Sequence, residues 1–222
     1  MIIKIDHIAF SSRDIDEDAR ILEEKGYKVI FKEKATPNIK IKKNLLRGFN
    51  KFHDICLLES KSSTPIEIIN HHNINEQQGY ILPIIKNINK KDETSYFNTA
   101  IIKTTSFNRS IEFWKLLGFK EIKKENGISV LEFRSIINKT NFTIEIKDNR
   151  NYNKKPLLDD KGFTCIAFVS NSAQKERELL ISKGVKTTEI EESIINGKLL
   201  NIFFAIGPSG ELVEVLSPKK SK

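Results

Sequence analysis

The sequence predicts an α+β fold assembled from three copies of one strand–helix–strands unit. Three short apolar segments, IDHIAF, NTAIIK and CIAFVS, each lead into a helix-like segment that stops at a glycine: DIDEDARILEEKGY, SFNRSIEFWKLLGF and NSAQKERELLISKGV. That glycine lies 19 residues beyond His7, Thr99 and Cys165 in turn, at Gly26, Gly118 and Gly184. Each copy then places a glutamate inside a later apolar run: Glu67 in PIEIIN, Glu145 in FTIEI and Glu214 in ELVEVL. Self-similarity at a fixed spacing marks a repeated supersecondary unit, and it governs how every other segment is read.

Module 1 spans residues 1–70. Its helix starts at Asp14, with Glu17 three residues later, a pairing that satisfies exposed first-turn amides. Ile15, Ala19 and Leu22 form the apolar stripe, and Gly26 supplies a left-handed C-terminal cap. YKVIFKEK, LLRGF with HDICLLES, and PIEIIN follow as strands between turn-forming residues. Module 2 spans 96–148: Phe107, Ile111, Trp114 and Leu117 lie on one helix face, and FKEIKKE, ISVLEFRS and FTIEIKD are its strands. Module 3 spans 162–217, with VKTTEIEES, KLLNIFFAI and ELVEVLS as strands and a GPSG turn joining the last two. A long polar link, 71–95, contains the apolar run YILPII; a shorter one, 149–161, joins modules 2 and 3, and 218–222 is a basic tail. Loop-length priors favour the short link as the one inside a compact unit, so modules 2 and 3 are expected to pair, with module 1 added.

With 222 residues, 39% of them apolar, the chain can bury a substantial core. No run approaches the ~20 apolar residues that span a bilayer, and MIIKIDHIAF reads as a first strand rather than a signal peptide. Cys56 and Cys165 sit in apolar strand-like runs as reduced core residues, and a cytosolic (cytoplasmic) protein is the expectation. The formal charge of +8 comes from scattered lysines without a recognition motif. Nucleic acid is therefore not the expected partner, and a small anionic molecule fits the charge.

The segments DHIAF, RSIEFWKLLGF, KGFTCIAFVSN and GPSGELVEVL resemble the vicinal oxygen chelate superfamily, which includes glyoxalase I, extradiol dioxygenases and bleomycin-binding proteins. The resemblance covers nearly all the chain outside 71–95. It implies βαβββ modules whose curved mixed sheets pair to enclose a cup. In the metal-using members, each module offers a ligand from its first strand and a glutamate from its fourth. Carried over, the fourth-strand positions are Glu67, Glu145 and Glu214. A carboxylate in such an apolar run is costly to bury without a cation or strong donors. Alternation along a half-buried strand would equally place it toward solvent.

At the first strands the chain departs from the family pattern. Module 1 has His7, grouped with Ile5 and Ala9 on one strand face, either a ligand or a hydrogen-bonded core residue. Module 2 offers Thr99 or Asn98, and module 3 offers Cys165. If modules 2 and 3 pair, Glu145 and Glu214 meet Thr99 and Cys165, a poor first-row metal site. If modules 1 and 2 pair, His7, Glu67 and Glu145 make a one-histidine, two-carboxylate site. If module 1 pairs with its own copy, a homodimer has two of each. Mn, Fe, Ni, Zn and Mg all remain open, as does a site without metal.

The remaining polar residues have two readings each. His53 is a general base reaching the cup or a surface histidine at a strand end, and His71 and His72 form a loop pair or metal ligands. Glu145, when not a ligand, is a second candidate to move a proton. Arg47 and Arg134 lie where an inward arginine would hold an anionic substrate. The resulting expectation is a divalent-metal enzyme of the lyase, isomerase or dioxygenase type. The alternative is a metal-free binding protein whose module 2–3 cup is lined by Phe107, Trp114, Phe133, Phe168 and Phe203.

Overall fold

The structure, a computed structural model, describes residues 1–73, 75–84, 86–87, 95–137, 141–149 and 155–219. The first βαβββ module comprises β1 (Ile2–Ser11), α1 (Ile15–Glu24), β2 (Lys28–Pro37), β3 (Phe52–Glu59) and β4 (Ile66–Asn70), with a 3-10 helix at Lys40–Leu45 between β2 and β3. Four short strands follow: β5 (Asn75–Gln78), β6 (Ile81–Pro83), β7 (Lys86–Asn87) and β8 (Ser95–Tyr96). The second module comprises β9 (Thr99–Thr104), α2 (Phe107–Leu116), β10 (Lys120–Glu125), β11 (Ile128–Arg134) and β12 (Asn141–Asp148). The third comprises β13 (Asp160–Ser170), α3 (Ala173–Ser182), β14 (Lys186–Thr187), β15 (Glu191–Ile195), β16 (Lys198–Ile206) and β17 (Leu212–Pro218).

Local chemistry explains the helix limits. The Asp14 carboxylate accepts a hydrogen bond from the Glu17 amide at 3.0 Å, and Ser172 does the same for Lys175 at 3.3 Å. Gly26, Gly118 and Gly184 end the helices at φ of +86°, +95° and +78°. A Cβ at Gly118 would also stand 3.3 Å from the Phe133 ring, so two constraints select glycine there.

The modules do not pair as loop length suggests. β1 runs antiparallel to β13, joining module 1 directly to module 3. The combined sheet runs β2-β3-β4-β1-β13-β17-β16, with β15 on the far edge of β16. It curves into a single cup, with α1 against β3 and β4 and α3 against β16 on its outside. The segment read as a passive link explains the outcome. β6 pairs with β9 on one side and with Phe163 of β13 on the other, so the free edge of the module 2 sheet is already filled. Gly79 enables that approach: its amide donates to the Lys161 carbonyl at 2.8 Å, and a Cβ there would lie 2.2 Å from the Phe163 carbonyl oxygen.

Module 2 instead packs on the back of the cup. Phe168 of β13 points away from the concave face, and its ring centroid lies 6.2 Å from Phe119 and 5.6 Å from Phe133. Trp114 continues the stack against Phe119 at 5.4 Å. Edge-to-face packing of this kind adds to the hydrophobic burial of each ring. The aromatic residues expected to line a module 2–3 cup are therefore core: Trp114, Phe168 and Phe203 are fully buried and Phe133 nearly so. Phe107 is a partly buried residue on that core's margin. Asn98 fixes the same junction, accepting from the Thr64 amide and donating to the Ser62 carbonyl. Among the described residues, no helix is long and apolar enough to cross a membrane.

Candidate metal centre

Sheet register builds the centre. Across the concave face, Glu67 of β4 stands beside Ala9 of β1, which faces Cys165 of β13. In the neighbouring row, Glu214 of β17 stands beside Ala167 of β13, which faces His7 of β1. Two glutamates, one histidine and one cysteine thus occupy equivalent corners around a local two-fold axis through the β1–β13 pair. The two alanines between them leave the middle of the cup open. His7, Glu67 and Glu214 bring ligand atoms to within 4.8 Å of one another, and all three are buried.

His7 Nε2 lies 3.3 Å from Glu67 Oε2 and 3.7 Å from Glu214 Oε2. Its Nδ1 lies 3.2 Å from Asp6 Oδ2. Asp6 reaches this side through a β-bulge: β1 pairs Ile5 with Phe168 and His7 with Ala167, so Asp6 is the extra residue. The bulge also places Ile5 on the outer face with Phe168, not on the histidine face that simple alternation predicts. Asp6 is itself paired to Lys4 at 2.8 Å. An acceptor at Nδ1 orients the ring so that Nε2 addresses the two glutamates, the support ligating histidines ordinarily have.

The electrostatics agree with this geometry. Burial disfavours charge on His7, but the Glu67 carboxylate and the Asp6 hydrogen bond outweigh it and hold the imidazole pKa well above its ordinary value. Burial likewise opposes ionisation of Glu67, yet the His7 charge keeps its pKa below the usual range. At Glu214 burial wins, and the pKa is raised although Lys42 and His7 pull it down. Burial and the nearby Glu214 push the Cys165 thiol well up, so it remains a thiol.

A divalent cation fits this donor set. Two buried carboxylates converge on an imidazole nitrogen that, among the described residues, has no hydrogen-bond partner of acceptable geometry. One nitrogen and two carboxylates suit Mn, Fe, Ni or Zn better than a purely oxygen-seeking ion. The cavity they face has a free volume of ≈ 60 Å³.

The other anticipated residues separate cleanly. Glu145 lies in module 2, outside this cup, on β12 beside Ile101 of β9, and its carboxylate pairs with Lys147 at 3.4 Å. Its strand position repeats that of Glu67 and Glu214, but among the described residues its module pairs with no other module's first strand as β1 does with β13. Thr99 begins β9 in the same module, remote in pairing from β1 and β13. Arg47 is half-exposed and donates to Gln77 at 3.0 Å, while its amide is held by Asp159. Arg134 is exposed and donates to Glu132 at 2.6 Å. Neither arginine lines the cavity. Phe203 faces outward beneath α3, and its neighbour Phe204 pairs with Glu214 on the cup face.

His53 is no surface residue: it is buried, lines the cavity, and meets His71 edge-to-face at 5.9 Å. Burial, then the Lys42 charge, lowers the His53 pKa to about 2 and that of His71 to about 3. Both shifts favour the neutral imidazole. His72 is exposed, with a φ of +62°, and lies 3.8 Å from Asp54.

Three features escaped sequence reasoning: the module 1–3 pairing, Asp6 and Lys42. The first had a signal, because HIAF of β1 and CIAF of β13 share three residues in register and leave alanine at both inner positions. Asp6 depends on a bulge, and Lys42 sits in the 3-10 helix among several indistinguishable lysines.

No protein-family model matches the chain, and no curated protein sequence matches it. Among solved structures, glyoxalase I from Zea mays superposes with a TM-score of 0.60 at 13% identity, covering 96% of this chain and 92% of that one. A single-site variant of the same maize enzyme gives a TM-score of 0.62 with the same identity and coverage. Paired βαβββ modules, a concave mixed sheet and near-complete mutual coverage together establish that this chain has the fold of the vicinal oxygen chelate superfamily.

Proposed function

We propose that the chain is a divalent-metal enzyme of the lyase, isomerase or dioxygenase type, with the ion held by His7, Glu67 and Glu214 and a small molecule bound in the module 1–3 cup. The observation that carries this reading is the convergence of two buried carboxylates from β4 and β17 on the Nε2 of a histidine from β1. A bound divalent ion supplies Lewis-acid polarisation of a substrate oxygen. Asp6 accepts a hydrogen bond from Nδ1–H and keeps the His7 ring aimed at the two glutamates. Ala9 and Ala167 keep the floor low enough for substrate oxygens to approach. Glu214, the carboxylate farther from His7 Nε2, is the group suited to take a proton from a substrate carbon or hydroxyl through the oxygen that does not face the ion. His53 presents a neutral ring to the cavity wall as a hydrogen-bonding partner for substrate. The apolar residues around the mouth exclude water from the reacting centre.

The experiment is metal analysis of untagged protein by mass spectrometry, alongside metal-dependent turnover of candidate substrates. Near one equivalent of metal per chain, lost in His7→Ala and Glu67→Gln without change in circular dichroism, is the expected result. A wild-type chain that takes up no Mn, Fe, Ni or Zn after reconstitution rules the reading out.

A further inference from the structure

A lysine ammonium is the least expected group in a cavity prepared for a cation. Lys42 is only 7% exposed, and it lines the cavity with His7, Glu67, Glu214 and His53. Its Nζ lies 5.9 Å from the centre of the Phe204 ring. Among the described residues it makes no ion pair within 4 Å and no side-chain hydrogen bond. The two buried carboxylates of the cavity, Glu67 and Glu214, lie 3.3 and 3.7 Å from His7 Nε2. The backbone holds Lys42 in place: its own amide donates to Ile39, and the next amide back, that of Ile41, donates to Glu191 of β15 across the cup. Its charge acts on Glu214 and Glu67 without contacting either carboxylate, so once those two hold a divalent ion the ammonium calls for an anion that arrives with the ligand.

Charge balance points the same way. Glu67 and Glu214 carry two negative charges and Lys42 one positive, while Asp6 is neutralised by Lys4. The two carboxylates balance a divalent ion, so the loaded cup is left with the single positive charge of Lys42. A neutral ligand leaves that charge buried; a monoanion cancels it. The cavity is polar where His7, Glu67, Glu214, His53 and Lys42 meet. The rim beyond it, with Phe31, Pro37, Ile195 and Leu200, is apolar.

We propose that Lys42 is the anion-anchoring residue of the cup and that the substrate is a small organic acid, its carboxylate held against Lys42 and its apolar body lying along the rim. This rests on the metal-site reading for the charge of the loaded cup, but the lysine and cavity stand without it. Lys42 selects for the acid and works against the metal, because a fixed positive charge repels the ion until the anion arrives. Removing it therefore moves two affinities in opposite directions, which a merely structural lysine would not do.

The test uses full-length protein and two probes alike in shape, 2-hydroxyisovalerate and its neutral amide, with zinc as the ion. Zinc affinity comes from competition with a chromophoric chelator, and probe affinity from calorimetry or ligand-observed NMR. The wild type is expected to favour the acid over the amide by at least about tenfold, the effect of one added unit of favourable charge interaction. Lys42→Met is expected to abolish that preference and to tighten zinc by roughly tenfold, while Lys42→Arg retains the preference. Equal binding of acid and amide to the wild type, or an unchanged preference in a folded Lys42→Met protein, overturns the proposal. If the wild type holds no zinc, the metal reading fails by itself. The acid-over-amide comparison on metal-free protein then still decides the role of Lys42.

Discussion

Metal binding at His7 should carry a definite proton cost. In the metal-free cup, His7 is an imidazolium held between Glu67 and Asp6, with a pKa well above 6.5. A ligating imidazole must be neutral, so at pH 6.5 zinc displaces one proton per site. A raised pKa means the proton competes more strongly, and that competition weakens as pH rises. The zinc association constant should increase roughly tenfold per pH unit, ~1.4 kcal/mol, and flatten above the His7 titration. Below the raised pKa of Glu214 a second proton must leave, so the slope steepens toward two. Calorimetry in buffers of different ionisation enthalpy counts the protons directly. Asp6→Asn separates orientation from competition. Above the His7 titration, where no proton competes, it should weaken zinc by roughly 10–100-fold. At lower pH the gap should narrow, because the same change also loosens the competing proton. Zinc binding at pH 6.5 with no proton released would refute the electrostatic reasoning.

Three further outcomes follow from the fold. Glu145→Gln should leave zinc stoichiometry and affinity unchanged, whereas Glu67→Gln and Glu214→Gln should each reduce them, as metal analysis will show; a loss in Glu145→Gln would place module 2 at the site. Phe168→Ala removes the ring joining the cup to module 2 and should cost about 3–5 kcal/mol, a fall in Tm of about 6–20 °C for a chain of this size. Because Phe168 points away from the concave face, the folded fraction should still bind zinc with wild-type stoichiometry. Gly79→Ala drives a Cβ to 2.2 Å from the Phe163 carbonyl and should cost about 1–3 kcal/mol by urea denaturation; a neutral result would contradict the observed β6–β13 approach.

Much of the fold was legible because it is written in local chemistry. Asp14, Ser172 and the three helix-ending glycines act within a few residues of themselves, so their spacing survives in the sequence. Period-two alternation around Glu67 and Glu214 likewise marks inward positions once strands are assumed. Asp6 was not legible, since one extra residue in β1 turns a side chain to the other face and no residue type announces it. Arg47 and Arg134 looked like anion binders by composition, yet local partners take them, Gln77 and Glu132 respectively. Lys42 had no distinguishing neighbour at all, and only the closure of the 3-10 helix over the cup gives it a role.

By itself the sequence determined three similar modules, their helices and strands, and which residue of each module stands at the potential ligand positions. Those are short-range facts, set by caps, periodicity and backbone stereochemistry. Which modules share a cup was decided only in three dimensions. Loop length pointed to modules 2 and 3, but β6 closed the open edge of module 2, and the matching small-residue faces of HIAF and CIAF let β1 and β13 meet. That long-range pairing is what sets Glu67 and Glu214 around His7 and leaves Glu145 outside.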